Sequence, residues 1–168
     1  MTTRPLVTFP DRRLSAVAAP VTAFDDALRT LALDLVDTLR AAPGIGITAA
    51  HVGVPLRVVV LELPDDPEPS LYVNPELVWV SEETERHAEG SVSMPGVTEE
   101  IERPARVRVR YQDIDGTMHE EETGGLRAVC HQHEIDQLDG VFWLQRLSRL
   151  KRERTVKRYG KLGRPPAR

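Results

Sequence analysis

Residues 126–140 read Leu126-Arg127-Ala128-Val129-Cys130-His131-Gln132-His133-Glu134-Ile135-Asp136-Gln137-Leu138-Asp139-Gly140. The run is predicted to be a helix that begins near Gly125 and ends at Gly140. Side chains four apart share a helix face, which brings Leu126, Val129, Cys130, His133 and Gln137 together. The apolar members imply that this face is buried. A buried imidazole and a buried carboxamide must each find partners. A zinc helix of the HExxH kind holds its metal through two imidazoles one turn apart, with the intervening Glu as base. Here the fifth position is Gln137, so that pattern is incomplete. His131 sits roughly 160° round the helix from His133 and is expected to face away. Cys130 is expected to be a core residue.

The segments on either side set the fold class. Downstream, Trp143 to about Tyr159 is predicted to be another helix, with Leu144, Leu147 and Leu150 on one side. Upstream, Arg106 to Tyr111 alternates in the period of a half-buried strand. Asp115-Gly116 then turns the chain into Thr117–Glu122 as a hairpin. Arg57 to Leu63 is β-branched and aliphatic, a strand that stops at the Pro64–Pro69 loop. Leu71–Asn74 and Glu76–Val80 read as short strands broken at Pro75. The first helix is predicted over Phe24 to Ala42, with Leu28, Leu31, Leu35 and Leu39 at helical spacing. Thr22 with Asp25 reads as its capping box, and Pro43-Gly44 as its end. One helix, then strands, then two helices indicates an α+β domain with a mostly antiparallel sheet. The central helix would be the one carrying His133-Glu134.

Composition narrows the classes further. A chain of 168 residues corresponds to about one domain, here residues 1–168. With 40% hydrophobic and 29% charged residues it is neither a coiled coil nor a disordered chain. The longest aliphatic run, Val58 to Leu61, is too short to cross a bilayer, so no membrane role is expected. Met1 to Pro10 shows no secretory signal. The single cysteine, Cys130, excludes an intramolecular disulfide and suits a reducing compartment, the cytoplasm. Charge is uneven: residues 146–168 hold ten Lys/Arg and one acid, Glu153, leaving 12 bases against 25 acids before them. Such a basic tail could meet RNA, a ribosome or another acidic surface, or be only a solvated helix.

Two upstream segments could carry chemistry. Gly44-Ile45-Gly46-Ile47-Thr48-Ala49-Ala50-His51-Val52-Gly53 places two glycines just after the first helix, where a ligand could approach the backbone. His51 follows small residues, so its ring could face open space. Glu89-Gly90-Ser91-Val92-Ser93-Met94-Pro95-Gly96 reads as a structured loop. Ser91 as a metal-free nucleophile with His133 as base is the weakest reading, because the G-x-S-x-G elbow is lacking.

Together and in this order, the three segments resemble the peptide deformylase family. That family carries G-x-G-[LI]-A-A-x-Q-V-G, E-G-C-L-S-x-P-G and Q-H-E-x-D-H-L-x-G; this chain reads G-I-G-I-T-A-A-H-V-G, E-G-S-V-S-M-P-G and Q-H-E-I-D-Q-L-D-G. The resemblance spans nearly the whole chain. It implies an α+β fold with antiparallel sheets around the central helix, plus N- and C-terminal helices. It also implies removal of the formyl group from N-formylmethionine on nascent chains. The family's metal is iron, zinc or nickel, held by the Cys and two His, with a water in the fourth position.

Carried over residue by residue, the resemblance puts Ser91, His133 and Gln137 at the metal positions. Glu134 takes the acid/base role, and His51 the position of the oxyanion-stabilising Gln. The Val92 amide is the second oxyanion donor. Ile45, Gly46, Gly90, Leu126 and Val129 would line the substrate pocket. A hydroxyl and a carboxamide are feeble neutral donors beside a thiolate and an imidazole. Metal affinity should therefore be weak or absent, unless His51, His133 and Glu134 form a replacement set. Two functions follow: a deformylase whose hydrolysis is weak, altered or lost, or a non-catalytic binder of Met-like or formylated peptide ends.

Overall fold

The computed structural model describes residues 2–163. The final residues of the basic tail, 164–168, lie outside the described residues. Helix α1 spans Asp26–Ala41. It is capped by Asp25, whose carboxylate accepts from the Leu28 amide at 3.0 Å, in place of the expected Thr22 capping box. Leu28, Leu31, Leu35 and Leu39 form its buried stripe, each worth ~1.5–3 kcal/mol of burial.

Strands follow as β1 (Gly46–Thr48), β2 (Val58–Leu61), β3 (Ser70–Val80), β4 (Thr84–Ser91), β5 (Met94–Pro104), β6 (Arg106–Gln112) and β7 (Met118–Gly124). Helix α2 is Gly125–Leu138 and helix α3 is Arg149–Leu162. Five strands form one antiparallel sheet in the order β1-β2-β3-β6-β7, and β4 pairs with β5 as a separate hairpin. This is the α+β, antiparallel architecture the sequence indicates.

The sheet is covered on both faces. Val58 and Val60 pack with Ile47 and Val73 against the α1 leucines. Val59 and Leu61 turn the other way, onto Cys130 and Leu138 of α2. Strand β2 is thus buried on both sides, which is why it reads as an unbroken aliphatic run rather than an alternation. Val107 and Val109 of β6 pack on Ala128 and Ile135 farther along α2.

Four local expectations are corrected. Pro75 does not break the strand: β3 runs through it, and the register shifts between Val73 and Glu76. Asn74 takes φ 51° there, and its amide ties Val21 to Gln112. The bulge absorbs a residue that has no N–H for the ladder. Residues 89–96 are not a loop but the tip of the β4–β5 hairpin, with Ser91 opposite Met94. Helix α2 is buried on nearly every side from Ala128 to Leu138, not along one face, while Leu126 in its first turn is exposed rather than part of the buried face. The third helix does not start at Trp143: Trp143–Arg146 is a 3-10 turn, Leu147 is extended, and the Ser148 hydroxyl caps α3. Leu144 and Leu147 pack with Trp143 beneath the hairpin, whereas Leu150 is exposed.

Candidate functional site

A cleft of about 400 Å³ opens between β1, the hairpin tip and α2. The segment from α1 into β1 supplies Ile45 and Gly46, and the turn after it supplies His51. The hairpin supplies Glu89, Gly90, Ser91 and Val92, and α2 supplies Leu126, Val129, Cys130, His133 and Glu134. All the residues expected to act therefore meet in one place, except Gln137. Its walls are apolar where Ile45, Val92, Val97, Leu126 and Val129 contribute, and polar at the floor. Gly46 keeps the floor open: a Cβ there would sit 2.7 Å from Glu134 Oε1 and 2.9 Å from Leu61 Cδ2.

The floor is held by a buried ionic chain. Glu89 accepts from His133 Nδ1 at 2.9 Å and from Arg103 twice, at 2.6 and 2.9 Å. Arg103 also donates to Asp136 at 2.9 Å, and Asp136 accepts from Arg146. Burial alone would raise the Glu89 carboxyl, but the His133 and Arg103 hydrogen bonds hold it below its ordinary value. Burial alone would lower His133, yet the Glu89 bond and the nearby Glu134 charge raise it. The contact leaves the Nε2 edge of His133 for the cleft, the orientation a carboxylate imposes on a ligating imidazole. Glu89 stood in a segment singled out in the sequence, but with no role. Arg103 was missed, and no local signal marked it, because its partners arrive from α2 and the neighbouring strand.

Glu134 is buried, and desolvation pushes its carboxyl up to about 7. Its Oε2 has no hydrogen-bond partner. His51 Nδ1 accepts from the Thr48 amide at 2.9 Å and lies 4.0 Å from Glu134 Oε2. Burial and, secondarily, His133 push the His51 imidazole down to about 3, so it is neutral. Cys130 is buried with its thiol pushed up to about 12, first by burial and then by Glu134 and Glu89, which makes it inert. His131 does face away from the cleft, but into the protein: it bonds Glu121 and packs edge-on against Tyr72.

The donors at the three metal positions do not suit iron, zinc or nickel. Ser91 Oγ accepts from the Ser93 amide at 3.1 Å. Gln137 is turned onto the N-terminal segment, where its Nε2 donates to the Leu14 carbonyl at 2.7 Å. Only His133 offers an imidazole there. Among the described residues, no three His, Cys, Asp or Glu side chains group as a metal ion requires, so the His51/His133/Glu134 replacement set is not formed.

Comparison with known proteins agrees with the fold and the motifs. The polypeptide deformylase family model matches residues 3–153. A "peptide deformylase-like" protein of Bradyrhizobium diazoefficiens is 68% identical over 98% of this chain and 96% of its own length. A peptide deformylase of Novosphingobium aromaticivorans is 45% identical, covering 96% of this chain and 98% of its own. The crystal structure of peptide deformylase from Ehrlichia chaffeensis in complex with actinonin superposes with a TM-score of 0.91 at 35% identity, over 98% of this chain and all of that one. On the strength of these matches, this chain belongs to the polypeptide deformylase family.

Proposed function

We propose that this protein receives the amino end of a Met-like or N-formylated peptide in its cleft and hydrolyses the formyl group weakly or not at all. The observation that carries the reading is the state of the three ligand positions. The framework around them is retained, while a hydroxyl and a backbone-bound carboxamide stand where a thiolate and an imidazole belong. Without a metal, bound water keeps a pKa near ~15.7 instead of falling to ~7, and Glu134 cannot offset that gap. The apolar walls suit an unbranched side chain such as that of methionine, and the unpartnered atoms at the floor suit a polar end group. Nascent chains carry such ends, which suits a cytoplasmic location. Described residues of α3 such as Lys151, Arg154 and Lys157 are exposed, which suits the RNA or ribosome contact raised by the basic tail.

One observation favours weak hydrolysis over none: Glu134, with its carboxyl near 7, is poised to move protons at neutral pH. Elemental analysis joined to a formate-release assay separates the two. The native protein should hold far less than about one metal per chain and release little or no formate from a formyl-Met peptide. Peptide at about a hundredfold above Kd should stabilise it by ~2.7 kcal/mol. Ser91→Cys with Gln137→His should restore metal and turnover together. A native protein with tightly held metal and full turnover overturns the proposal.

A further inference from the structure

The cleft holds a donor and an acceptor that no other described residue uses. Ser91 Oγ accepts from the Ser93 amide at 3.1 Å. That bond occupies a lone pair and leaves the hydroxyl proton free to donate. In the same cleft, the Glu89 carboxylate, itself fixed by two bonds from Arg103, accepts from His133 Nδ1 at 2.9 Å. The neutral ring then bears its lone pair on Nε2. His133 Nε2 has no hydrogen-bond partner among the described residues, yet it is not one of the polar atoms sealed from solvent, as His51 Nε2 and Glu134 Oε2 are. Glu89 and Ser91 stand two apart on β4, and both line the cleft with His133.

A hydroxyl, an imidazole and a carboxylate so related are the parts of a nucleophilic triad: the acid orients the ring, and the ring takes the hydroxyl proton. The sequence offers Ser91 a base but no acid to orient it, and Glu89 supplies that acid. The Val92 amide follows Ser91 at the hairpin tip and donates to no acceptor among the described residues, which leaves it for an oxyanion. The Ser91 hydroxyl is not bonded to the ring in this structure; such contacts tighten when a substrate arrives. We propose that Ser91, His133 and Glu89 form a metal-independent acyl-transfer centre for small carboxylic esters. Ser91 Oγ attacks the ester carbonyl while its proton passes to His133 Nε2. The bond from the carbonyl carbon to the alcohol oxygen then breaks, and the alcohol leaves with that proton. Water gives a proton to His133, cleaves the acyl-serine and releases the carboxylic acid, and the proton returns to Ser91. An alkoxide leaves far more readily than an amine, so esters suit this centre and formamides do not. It goes beyond the weak deformylation proposed above and does not depend on it.

A fluorophosphonate probe tests the centre on the intact protein, with and without EDTA, at mildly alkaline pH. Intact mass should show about one probe per chain, and peptide mapping should place it on Ser91. p-Nitrophenyl acetate should give a burst of about one nitrophenolate per chain and then steady turnover. EDTA should change neither. Ser91→Ala should abolish both label and burst, and His133→Gln should slow the burst by on the order of a hundredfold. Glu89→Gln should lower kcat while KM holds, a split that a merely loosened fold would not give. A native protein that takes no label, or takes it elsewhere than on Ser91, overturns the centre without recourse to any variant. Ester turnover that survives Ser91→Ala, or that vanishes in EDTA, overturns it too. Binding of formyl-Met peptide without label overturns this centre alone, and label without peptide binding overturns the proposed function alone.

Discussion

Replacing Arg103 by methionine isolates the ionic chain beneath the cleft. The guanidinium is nearly buried, donates twice to Glu89 and once to Asp136, and has no bulk water to fall back on. Asp136 would keep its two bonds from Arg146, but Glu89 would be left buried with His133 as its remaining partner. Breaking one side of a buried ion pair costs ~3–5 kcal/mol, mostly through the charge left behind. In a protein of 168 residues, each kcal/mol shifts the melting temperature by ~2–4 °C, so Arg103→Met should melt ~6–20 °C lower. The double variant with Glu89→Gln removes the stranded charge and should recover ~1–3 kcal/mol of that loss. Equilibrium unfolding in urea of the two single variants and the double gives the coupling directly. A loss below ~1 kcal/mol for Arg103→Met, or no recovery in the double variant, would refute the view that this chain is an obligate, desolvated network.

Three further outcomes follow from the same geometry. Burial lifts Glu134 from 4.5 to about 7, so the folded state holds a proton that the unfolded chain gives up earlier. Its stabilising contribution is complete below pH 4.5 and is lost as pH rises through about 7; Glu134→Gln should therefore raise stability at pH 8 and change it little at pH 4, as read by melting curves at both. Gly46→Ala should lower stability by ~1–3 kcal/mol and abolish the thermal shift with formyl-Met peptide, because the new methyl meets Glu134 Oε1 at 2.7 Å. Gln137→Leu should cost ~1–3 kcal/mol by leaving the Leu14 carbonyl unpaired; a neutral result in urea unfolding would show that the carbonyl finds another donor.

What could be read in the sequence, and what could not, follows from where each residue finds its partners. The α1 leucines and the Val58–Leu61 run carry their own burial signal, since each apolar position faces a core layer. Arg106–Tyr111 alternates because β6 has one wet face, where Arg106, Arg108 and Arg110 meet Glu122 and Glu120 of β7. The β4–β5 hairpin escaped notice because its inward positions include Glu89 and Arg103, which hide each other's charge only once paired. The period-2 pattern of a strand cannot show when the buried side is itself ionic. Likewise α2 buries His131, Gln132, His133 and Gln137 by pairing, and Glu134 without a partner for its Oε2, which erases the apolar stripe that marks an ordinary core helix. The site's membership was legible from three ordered segments, but the direction of Gln137 was not, because the carbonyl that turns it comes from Leu14, more than a hundred residues upstream.

The Leu14 carbonyl also bears on what reversing the proposed weakness in ion binding would take. A histidine introduced in place of Gln137 could donate its Nδ1–H to this acceptor, as His133 donates to Glu89. The acceptors that would steer both rings, Glu89 and the Leu14 carbonyl, are both present. Recovery of a working centre then needs no redesign of the surrounding frame, only two exchanged side chains, and laboratory selection for formate release would be expected to find that short route before any other.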